Sequence, residues 1–442
     1  MRYVMPRFMS EVHLASRKRE VPSESSKFKK YRPEWELKLS VIPQIQVTRN
    51  CNLACDYCFQ EHAGTIIECD TVENILRCVI AHNLSVDSDT NTIQVYWHGG
   101  EPLMAGAGFF KEIIKIENNY SELFMQNRIQ TNGTLMSDEL AQIFTDNLFQ
   151  VGFSLDGPRE IHNYHRRYAH SHKGSFDTTM KGIDRYRRFA QPERISVIAV
   201  ITRASVGRAH EIFEFFKALR AEVQLDIFDL RWTDLIQSHG SLSFPDDLVP
   251  SSDEVAQFLI ELFDLWFYDQ EGLVDFKELR QELKMVLQPE IDRGNPYYKK
   301  RCDFRRLIFA SNGLAFSCDQ WLNDEKTALG DVRVDSISKI LERKSRLWEE
   351  IKLNLRKSGE AMGCGRCKWG RQCGGGCLTC MKYNALLQQA RGNGLADHRW
   401  FEGQLPARWH AIRGETYYCE GLRAFRRHVR AAAQRELCNA QE

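Results

Sequence analysis

An alternation of strand and helix patterns, which begins near residue 40, restricts the fold of this 442-residue chain more than any other feature. Six apolar, β-branched runs are typical of buried parallel strands. They are residues 41–47, 92–97, 127–131, 150–155, 195–201 and 223–230. Stretches with helical spacing lie between them, at 70–84, 109–124, 136–149 and 209–220. Because crossovers between parallel strands are right-handed, these units predict an α/β fold, a partial (β/α)6 barrel of the TIM type.

Short motifs directly follow the first four predicted strands. They read TRNCNLACDYC (48–58), HGGEP (98–102), NGT (132–134) and DGP (156–158). In an α/β barrel the loops at the carboxyl ends of the strands carry the chemistry, so the motifs predict a single site on one rim. A doubly wound sheet also binds ligands at strand ends and remains the alternative architecture.

The composition is that of a protein with an ordinary core, since 43% of the residues are hydrophobic and 27% are charged. A net charge of +1 gives no reason to expect nucleic acid or an anionic membrane as a partner. The sequence shows neither the apolar segment of a signal peptide nor a run long enough to span a bilayer. We therefore expect a cytoplasmic protein.

The alternation ends near residue 240, and the rest of the chain has a different character. Residues 252–270 and 421–437 have helical patterns, whereas residues 302–419 are rich in Cys and Gly and too poor in apolar runs to bury much core. Small units of that kind usually need metal for stability. The predicted division is an N-terminal extension (1–38), the barrel (39–240), a helical linker (241–300), a Cys-rich domain (301–430) and a C-terminal tail (431–442).

Three of the fourteen cysteines, Cys51, Cys55 and Cys58, lie within eight residues with no fourth close behind. In a reducing compartment such clustering indicates a metal or catalytic site. Iron–sulfur clusters usually take four thiolates, so three would leave one iron of a 4Fe–4S cluster open. The amino and carboxylate groups of S-adenosylmethionine can chelate that iron, and its reductive cleavage yields a 5′-deoxyadenosyl radical. A three-cysteine zinc site with a distant fourth ligand is the alternative.

The residues of the HGGEP motif are suited to bind an amino group. Gly99 and Gly100 permit close approach of the backbone to a ligand, and Glu101 supplies a carboxylate suited to an ammonium group. A glycine-rich turn at the end of a strand is the simpler explanation if the motif is taken alone.

Several motifs between about residues 41 and 430 resemble those of radical S-adenosylmethionine (radical SAM) enzymes with a C-terminal SPASM domain. They are CNLACDYCF, HGGEPL, QTNGTL, GFSLDGPREIHNYHR, NGLAFSCD, CGRCKWGRQCGGGCLTC and YYC. Within that branch the set is similar to the anaerobic sulfatase-maturating enzymes. The resemblance implies that Cys51, Cys55 and Cys58 hold the catalytic cluster.

The resemblance also implies a set of residues that bind S-adenosylmethionine. Gly99, Gly100 and Glu101 would meet its methionine amino group, and Tyr57 would lie against the cofactor. Ser154 and Arg166 match positions that contact the ribose and the carboxylate, with Asn132 in the loop between them. His98 stands where the maturases commonly carry Gln, a departure that alters a polar contact to cofactor or substrate.

The second cysteine region indicates further metal sites. Zinc is an open alternative there, because zinc also favours paired thiolates. The resemblance implies two auxiliary iron–sulfur clusters, one held by Cys364, Cys367, Cys373 and Cys419, the other by Cys302, Cys318 and Cys377. The second set lacks one ligand, because residues 290–301 contain no cysteine. An open iron, a ligand such as Asp303 or Cys380, or a smaller core are the alternatives.

Asp319, next to Cys318, matches the proposed general base of the maturases; a turn-capping Asp is the alternative. The resemblance implies a peptide maturase that modifies or cross-links a ribosomally made precursor peptide, forming cyclophane or ether bridges as in darobactin-type pathways. Its electrons would come from a flavodoxin- or ferredoxin-type reductant. The alternatives are a sulfatase maturase that forms formylglycine and a non-catalytic, zinc-rich interaction protein.

Overall fold

A computed structural model describes residues 39–58, 60, 62, 64–227, 248, 250–287, 304–322, 325–347, 367, 369 and 419–439. The chain forms two compact units. The first, here the sheet unit, consists of Arg32–Val197 and Asp303–Asn354. The second, here the helical unit, consists of Met1–Tyr31, Ile198–Cys302 and Leu355–Glu442.

The helices and strands follow one another in a βα order through most of the chain. They are β1 (Ile42–Gln46), α1 (Cys69–Val86), β2 (Thr92–His98), α2 (Gly106–Asn118), β3 (Phe124–Thr131), α3 (Asp138–Asp146), β4 (Gln150–Ser154), α4 (Arg159–His165), α5 (Phe176–Ala190), β5 (Ile195–Ile201), α6 (Ala209–Ala218), β6 (Ala221–Ile227), α7 (Ser252–Phe267), β7 (Asp275–Phe276), α8 (Lys277–Leu287), β8 (Arg306–Phe309), β9 (Leu314–Phe316), β10 (Gly330–Asp331), α9 (337–347) and α10 (Cys419–Asn439). All six predicted strands are present, and so are the predicted helices between them.

The predicted α/β class with a mostly parallel sheet is confirmed. In the sheet unit β1 pairs in parallel with β2 and with β8, β2 with β3, and β3 with β4. Strand β9 pairs antiparallel with β8 on one side and with β10 on the other, which the sequence did not predict. Strands β1 to β4 lie side by side in chain order, as in the wall of a barrel; closure into a partial (β/α)6 barrel stays a prediction.

The two faces of this sheet differ in chemistry. One face is apolar, and Ile45, Val95, Trp97, Ile129 and Phe153 are almost completely buried on it. Strand side chains alternate between faces, so the intervening residues share the opposite face. This opposite face, here the polar face, carries Gln44, Gln46, Tyr96, His98, Arg128, Gln130 and Ser154. The registers place Gln44 beside Tyr96 and Tyr96 beside Arg128.

The helical unit contains the predicted amphipathic helix near residue 252 and the predicted C-terminal helix. Helix α7 begins at a capping box formed by Ser251 and Glu254. Helix α10 extends to Asn439 and so continues past residue 431, the predicted start of the tail. In the described ranges no helix combines the length and apolar character needed to cross a bilayer.

Candidate cofactor site

The loop that carries Cys51, Cys55 and Cys58 follows β1 and is fixed by main-chain contacts. The amide of Cys58 donates to the carbonyl of Cys55 at 2.9 Å, which closes a turn between two of the thiols. A segment around residues 165–168 lies alongside: the amide of Ala54 donates to the carbonyl of Arg167 at 2.8 Å. An antiparallel bridge joins Leu53 to Tyr168. The thiol positions are therefore set by hydrogen-bonded backbone.

The three thiols of this loop are partly buried and influence one another electrostatically. Burial raises the pKa of the Cys51 thiol to about 12, with further increases from Glu101 and Cys58. Burial also raises the pKa of Cys55, and Arg166 opposes part of that increase. Such thiols stay protonated near neutral pH until a bound cation replaces their protons.

The donor set suits a cluster better than a single ion. Among the described residues, no group of three His, Cys, Asp or Glu side chains could hold one metal ion. One tetrahedral zinc would need its thiolates within about 4 Å of one another, because each Zn–S bond is about 2.3 Å long. In an iron–sulfur cluster each thiolate binds a different iron, so three thiols spread along one loop fit that group.

Gly99 and Gly100 bring the loop after β2 into backbone contact with the loop after β1. The amide of Gly100 donates to the carbonyl of Thr48 at 2.7 Å, and that of Glu101 to the carbonyl of Asn50 at 2.9 Å. A Cβ on Gly99 would overlap the Thr48 carbonyl, and one on Gly100 the Asn50 carbonyl. Gly99 and Gly100 are thus required for the contact between the two loops. Whether they also contact the methionine amino group of the cofactor is not tested by this structure and stays a prediction.

The Glu101 carboxylate is completely buried and joins two loops of the site. Its Oε1 accepts from the Leu103 amide at 2.9 Å and the Thr131 hydroxyl at 2.6 Å, and its Oε2 from the Asn132 amide at 2.7 Å. Burial raises the pKa of Glu101 to about 7, although these hydrogen bonds oppose the shift. The carboxylate therefore organises the loops after β2 and β3, a role beyond the predicted one.

Asn132 connects the loop after β3 to the thiol loop. Its Nδ2 donates to Asn52 Oδ1 at 2.9 Å and lies 3.7 Å from Cys51 Sγ. Its Oδ1 accepts from the amide of Thr134 at 2.9 Å. Since both ends of the amide are engaged, Asn132 orients a hydrogen-bond donor towards the first thiol.

A buried ion pair between Arg166 and Asp156 lies next to the Cys55 thiol. Arg166 Nε donates to Asp156 Oδ2 at 3.0 Å, and the Tyr57 hydroxyl donates to the same oxygen. Burial alone would raise the pKa of Asp156, but Arg166 and His162 lower it below its usual range. The Arg166 guanidinium lies 5.3 Å from the Tyr57 ring centre and its Nη1 is 4.0 Å from Cys55 Sγ. The structure thus joins the predicted Tyr57 and Arg166 through Asp156, the first residue of the DGP motif, for which the sequence predicted no role.

Ser154 and His98 lie at the ends of β4 and β2, on the polar face. Ser154 Oγ accepts from Gln130 Nε2 at 2.9 Å. The carbonyl of His98 accepts from the amide of Val47 at 2.8 Å. Both residues therefore border the loops that carry the thiols and the glycines.

Cys318 and Asp319 follow the hairpin of β8 and β9 in the sheet unit. The Cys318 thiol is 3.6 Å from Asp319 Oδ1, and Asp319 begins a short 3-10 helix, Asp319–Trp321. A pocket of about 250 Å³ beside the hairpin is lined by residues from both chain segments of the unit, among them Gln46, Arg49, Ala310, Phe316 and Leu322. This pocket therefore connects the region of Cys318 with the end of β1.

The other predicted auxiliary ligands are not brought together by the described residues. Cys367 and Cys419 belong to the helical unit. Cys302, Cys364, Cys373 and Cys377 lie outside the described ranges, as do Asp303 and Cys380. Both auxiliary clusters stay predictions.

A parallel sheet with a three-thiol loop after its first strand is the arrangement of a radical SAM domain, and residues 45–216 match the model of the Radical SAM superfamily. The chain carries a radical SAM domain, and this family implies a 4Fe–4S cluster and S-adenosylmethionine. This match confirms the radical SAM part of the resemblance found in the sequence, whereas the SPASM domain stays a prediction.

Curated and solved relatives extend the similarity beyond this domain. A cysteine-type anaerobic sulfatase-maturating enzyme of Clostridium perfringens is 26% identical over 346 residues, which cover 75% of this chain and 86% of the relative. The structure of anSMEcpe with bound AdoMet and a peptide has a TM-score of 0.71 at 21% identity and covers 90% of this chain and 99% of that one. Streptococcus suis SuiB bound to the precursor peptide SuiA has a TM-score of 0.56 at 14% identity, with coverage of 86% and 85%. The two solved structures show a shared fold.

Proposed function

We propose that the protein is a peptide-modifying radical SAM enzyme that abstracts a side-chain hydrogen from a ribosomally made precursor and oxidises or cross-links it. The supporting observation is the hydrogen-bonded loop of Cys51, Cys55 and Cys58, in contact with Gly100 and Asn132, within a radical SAM domain. Relatives of the same fold are solved with peptides, which favours a peptide as the substrate class.

The residues of the site have distinct tasks in this proposal. Cys51, Cys55 and Cys58 would hold the cluster, and the cluster together with S-adenosylmethionine would supply the radical chemistry of the site. The ion pair of Arg166 and Asp156 holds Tyr57 beside Cys55, so that the phenol ring forms a wall of the cofactor site. Ser154 and His98, at the ends of their strands, offer polar contacts to the cofactor or the substrate.

Oxidation of the substrate removes one hydrogen atom, then one proton and one electron, and therefore two hydrogens in total. Asp319 is proposed to accept the proton, because its carboxylate is partly buried beside Cys318 in the same unit as the thiol loop. The electron would leave through auxiliary clusters, and a flavodoxin- or ferredoxin-type protein would supply the reducing electron. Asp319→Asn should still cleave S-adenosylmethionine but form little product; normal product formation would remove Asp319 from the mechanism.

Formylglycine formation on a sulfatase is the second candidate and has comparable support. The Clostridium perfringens relative is named as a maturase of that type, and the alignment covers 86% of its length. Three departures from the sulfatase maturases favour a different peptide substrate: the extension formed by residues 1–38, the missing auxiliary ligand upstream of Cys302, and the inserted residues 391–410 before Cys419.

Product mass distinguishes these candidates. The reduced, reconstituted enzyme is incubated with peptides encoded by neighbouring genes and, separately, with a sulfatase peptide that contains the Cys or Ser to be oxidised. We expect a loss of two hydrogens in a neighbouring-gene peptide and no aldehyde in the sulfatase peptide. An aldehyde in the sulfatase peptide alone would establish the second candidate. A colourless protein with stoichiometric zinc would contradict both.

A further inference from the structure

Two arginines on the polar face converge on one tyrosine. Arg128 Nη1 donates to the Tyr96 hydroxyl at 2.7 Å, and the Arg306 guanidinium lies 4.8 Å from the centre of the Tyr96 ring. Arg128 lies beside Tyr96 on the neighbouring strand, whereas Arg306 is brought there by β8, from a distant part of the chain. All three side chains are half-buried. The sheet therefore places two positive charges around one phenol.

Neither guanidinium has a carboxylate partner among the described residues. The other polar contact of Arg306 is a long one, from Nη1 to Gln44 Oε1 at 3.4 Å. The Nε atoms of both arginines are buried and have no hydrogen-bond acceptor within the part of the chain that the structure describes. By contrast, buried Arg166 pairs with Asp156 and buried Arg426 with Glu282.

An unsatisfied buried donor on a charged group is costly, so native proteins usually provide it with an acceptor. Here the described residues provide fixed donors but no anion, which points to an acceptor that comes from outside the sheet. A carboxylate fits best, because a guanidinium presents paired N–H groups that match its two oxygens and the phenol adds a further donor.

The location connects this cluster to the proposed reaction. Tyr96 lies two residues before His98 on β2, and Arg128 lies two residues before Gln130, the partner of Ser154. Two residues along a strand correspond to about 7 Å, on the same face of the sheet. A group bound here is therefore about one side-chain length from the rim of the cofactor site.

We propose that Arg128, Arg306 and Tyr96 form a carboxylate subsite that orients the peptide substrate. The anion is either the side chain of an acidic residue or a free C-terminal carboxylate. This inference rests on the proposed peptide-modifying function, for which it specifies an acidic group close to the modified residue.

The test uses the full-length, anaerobically reconstituted protein and four pentapeptide probes, acetyl-Ala-Gly-Xaa-Gly-Ala. The central residue is Asp or Asn, and the C-terminus is either free or amidated. Titration calorimetry gives the Kd of each probe for the wild-type protein and for Arg128→Gln, Arg306→Gln and Arg128→Lys. Arg188→Gln, which removes an exposed arginine paired with Asp138, is the matched control.

We expect the wild-type protein and the control to bind one carboxylate-bearing probe about tenfold or more tightly than its neutral counterpart. Comparison of the Asp probe with the Asn probe tests binding of a side-chain carboxylate. Comparison of the free-acid probe with the amidated probe tests binding of the C-terminal carboxylate. Arg128→Gln and Arg306→Gln should lose the preference, and Arg128→Lys should keep part of it. Equal Kd values for all four probes, or no detectable binding, would overturn the inference, as would a preference that survives in both Gln variants.

Two further readouts separate this subsite from a structural role and from the proposed function. A structural role predicts lower melting temperatures for the Gln variants, whereas loss of an uncompensated charge predicts unchanged or higher ones. Release of 5′-deoxyadenosine by the wild-type protein tests the radical chemistry. If it is released but the carboxylate preference is absent, the subsite fails and the proposed function stands.

Discussion

Arg166 Nε donates to Asp156 Oδ2 at 3.0 Å, and only 9% and 2% of these two side chains are exposed. The same oxygen accepts from Tyr57, and Arg166 also approaches Cys55. One buried ion pair therefore connects the loop after β4 with two residues of the thiol loop, and the integrity of the cofactor site depends on it.

Removal of one member of this pair should be strongly destabilising. Arg166→Gln leaves the Asp156 carboxylate buried without its counter-ion, which costs about 3–5 kcal/mol of unfolding free energy. Urea unfolding of the metal-free protein measures this loss. Arg159→Gln is the matched control, because Arg159 and Asp177 form an exposed pair, and its unfolding midpoint should not change. Equal effects of the two substitutions would contradict the role assigned to the buried pair.

The two loops joined at Gly99 should not tolerate a methyl group there. In Gly99→Ala the new Cβ meets the Thr48 carbonyl, and the backbone has a φ of +145°, so neither a rotamer change nor relaxation of a side chain relieves the overlap. We expect loss of S-adenosylmethionine cleavage and a lower melting temperature. Gly108→Ala in α2 adds a methyl group to open space and should stabilise the protein by roughly 0.5–1 kcal/mol. Full activity of Gly99→Ala would show that the loop contact is dispensable.

Loss of the Asn132 side chain should loosen the cluster without unfolding the sheet. Asn132→Ala removes a donor near Cys51 and a hydrogen bond to Asn52. Residues that orient metal ligands typically change metal affinity by about 10–100-fold when mutated, so iron release to a chelator should be faster by a factor in that range. Asn147→Ala, at the end of α3, is the control and should release iron at the wild-type rate. Identical rates for both variants would remove Asn132 from the support of the cluster.

Glu117 on α2 should make stability depend on pH. It accepts from Asn127 at 2.8 Å, and burial raises its pKa from 4.5 to about 7. The folded state therefore binds the proton more tightly, so this contribution is complete below pH 4.5 and is lost as the pH rises through 7. Gln resembles the protonated acid, and Glu117→Gln should gain stability over the wild type with rising pH, by about 3 kcal/mol at most.

Denaturant titrations of both proteins across this pH range measure the difference, and the values below pH 4.5 serve as the internal reference. A difference that does not change with pH would show that Glu117 has the same pKa in the folded and the unfolded protein.

The sequence was sufficient for the strands around the site and for the helices after β1, β2 and β3, but α4 and α5 were not predicted. β-Branched runs such as residues 195–201 fill the interior of a parallel sheet, and this requirement is local enough to be recognised. The placement of Glu101 and Arg166 beside the thiol loop also follows from their positions in the connections after β2 and β4.

The polar face was missed, although its signal is present in the sequence. Gln94, Tyr96 and His98 alternate with apolar residues on β2, as do Gln126, Arg128 and Gln130 on β3. That period of two distinguishes a sheet with one polar face from a fully apolar one.

The role of Arg306 could not be predicted in the same way. It depends on pairing between β8 and β1, more than 250 residues apart in the chain. Strands of two to four residues, such as β8 to β10, carry too little pattern to reveal such pairing.

Spectroscopy of the reconstituted enzyme with and without S-adenosylmethionine tests the central claim most directly. If Cys51, Cys55 and Cys58 hold a 4Fe–4S cluster with one iron open to the cofactor, adding it should change the Mössbauer and EPR spectra, and dithionite should then release 5′-deoxyadenosine. Substitution of these three cysteines by Ala should abolish both effects. Unaltered spectra with no deoxyadenosine from the wild-type protein would contradict the account.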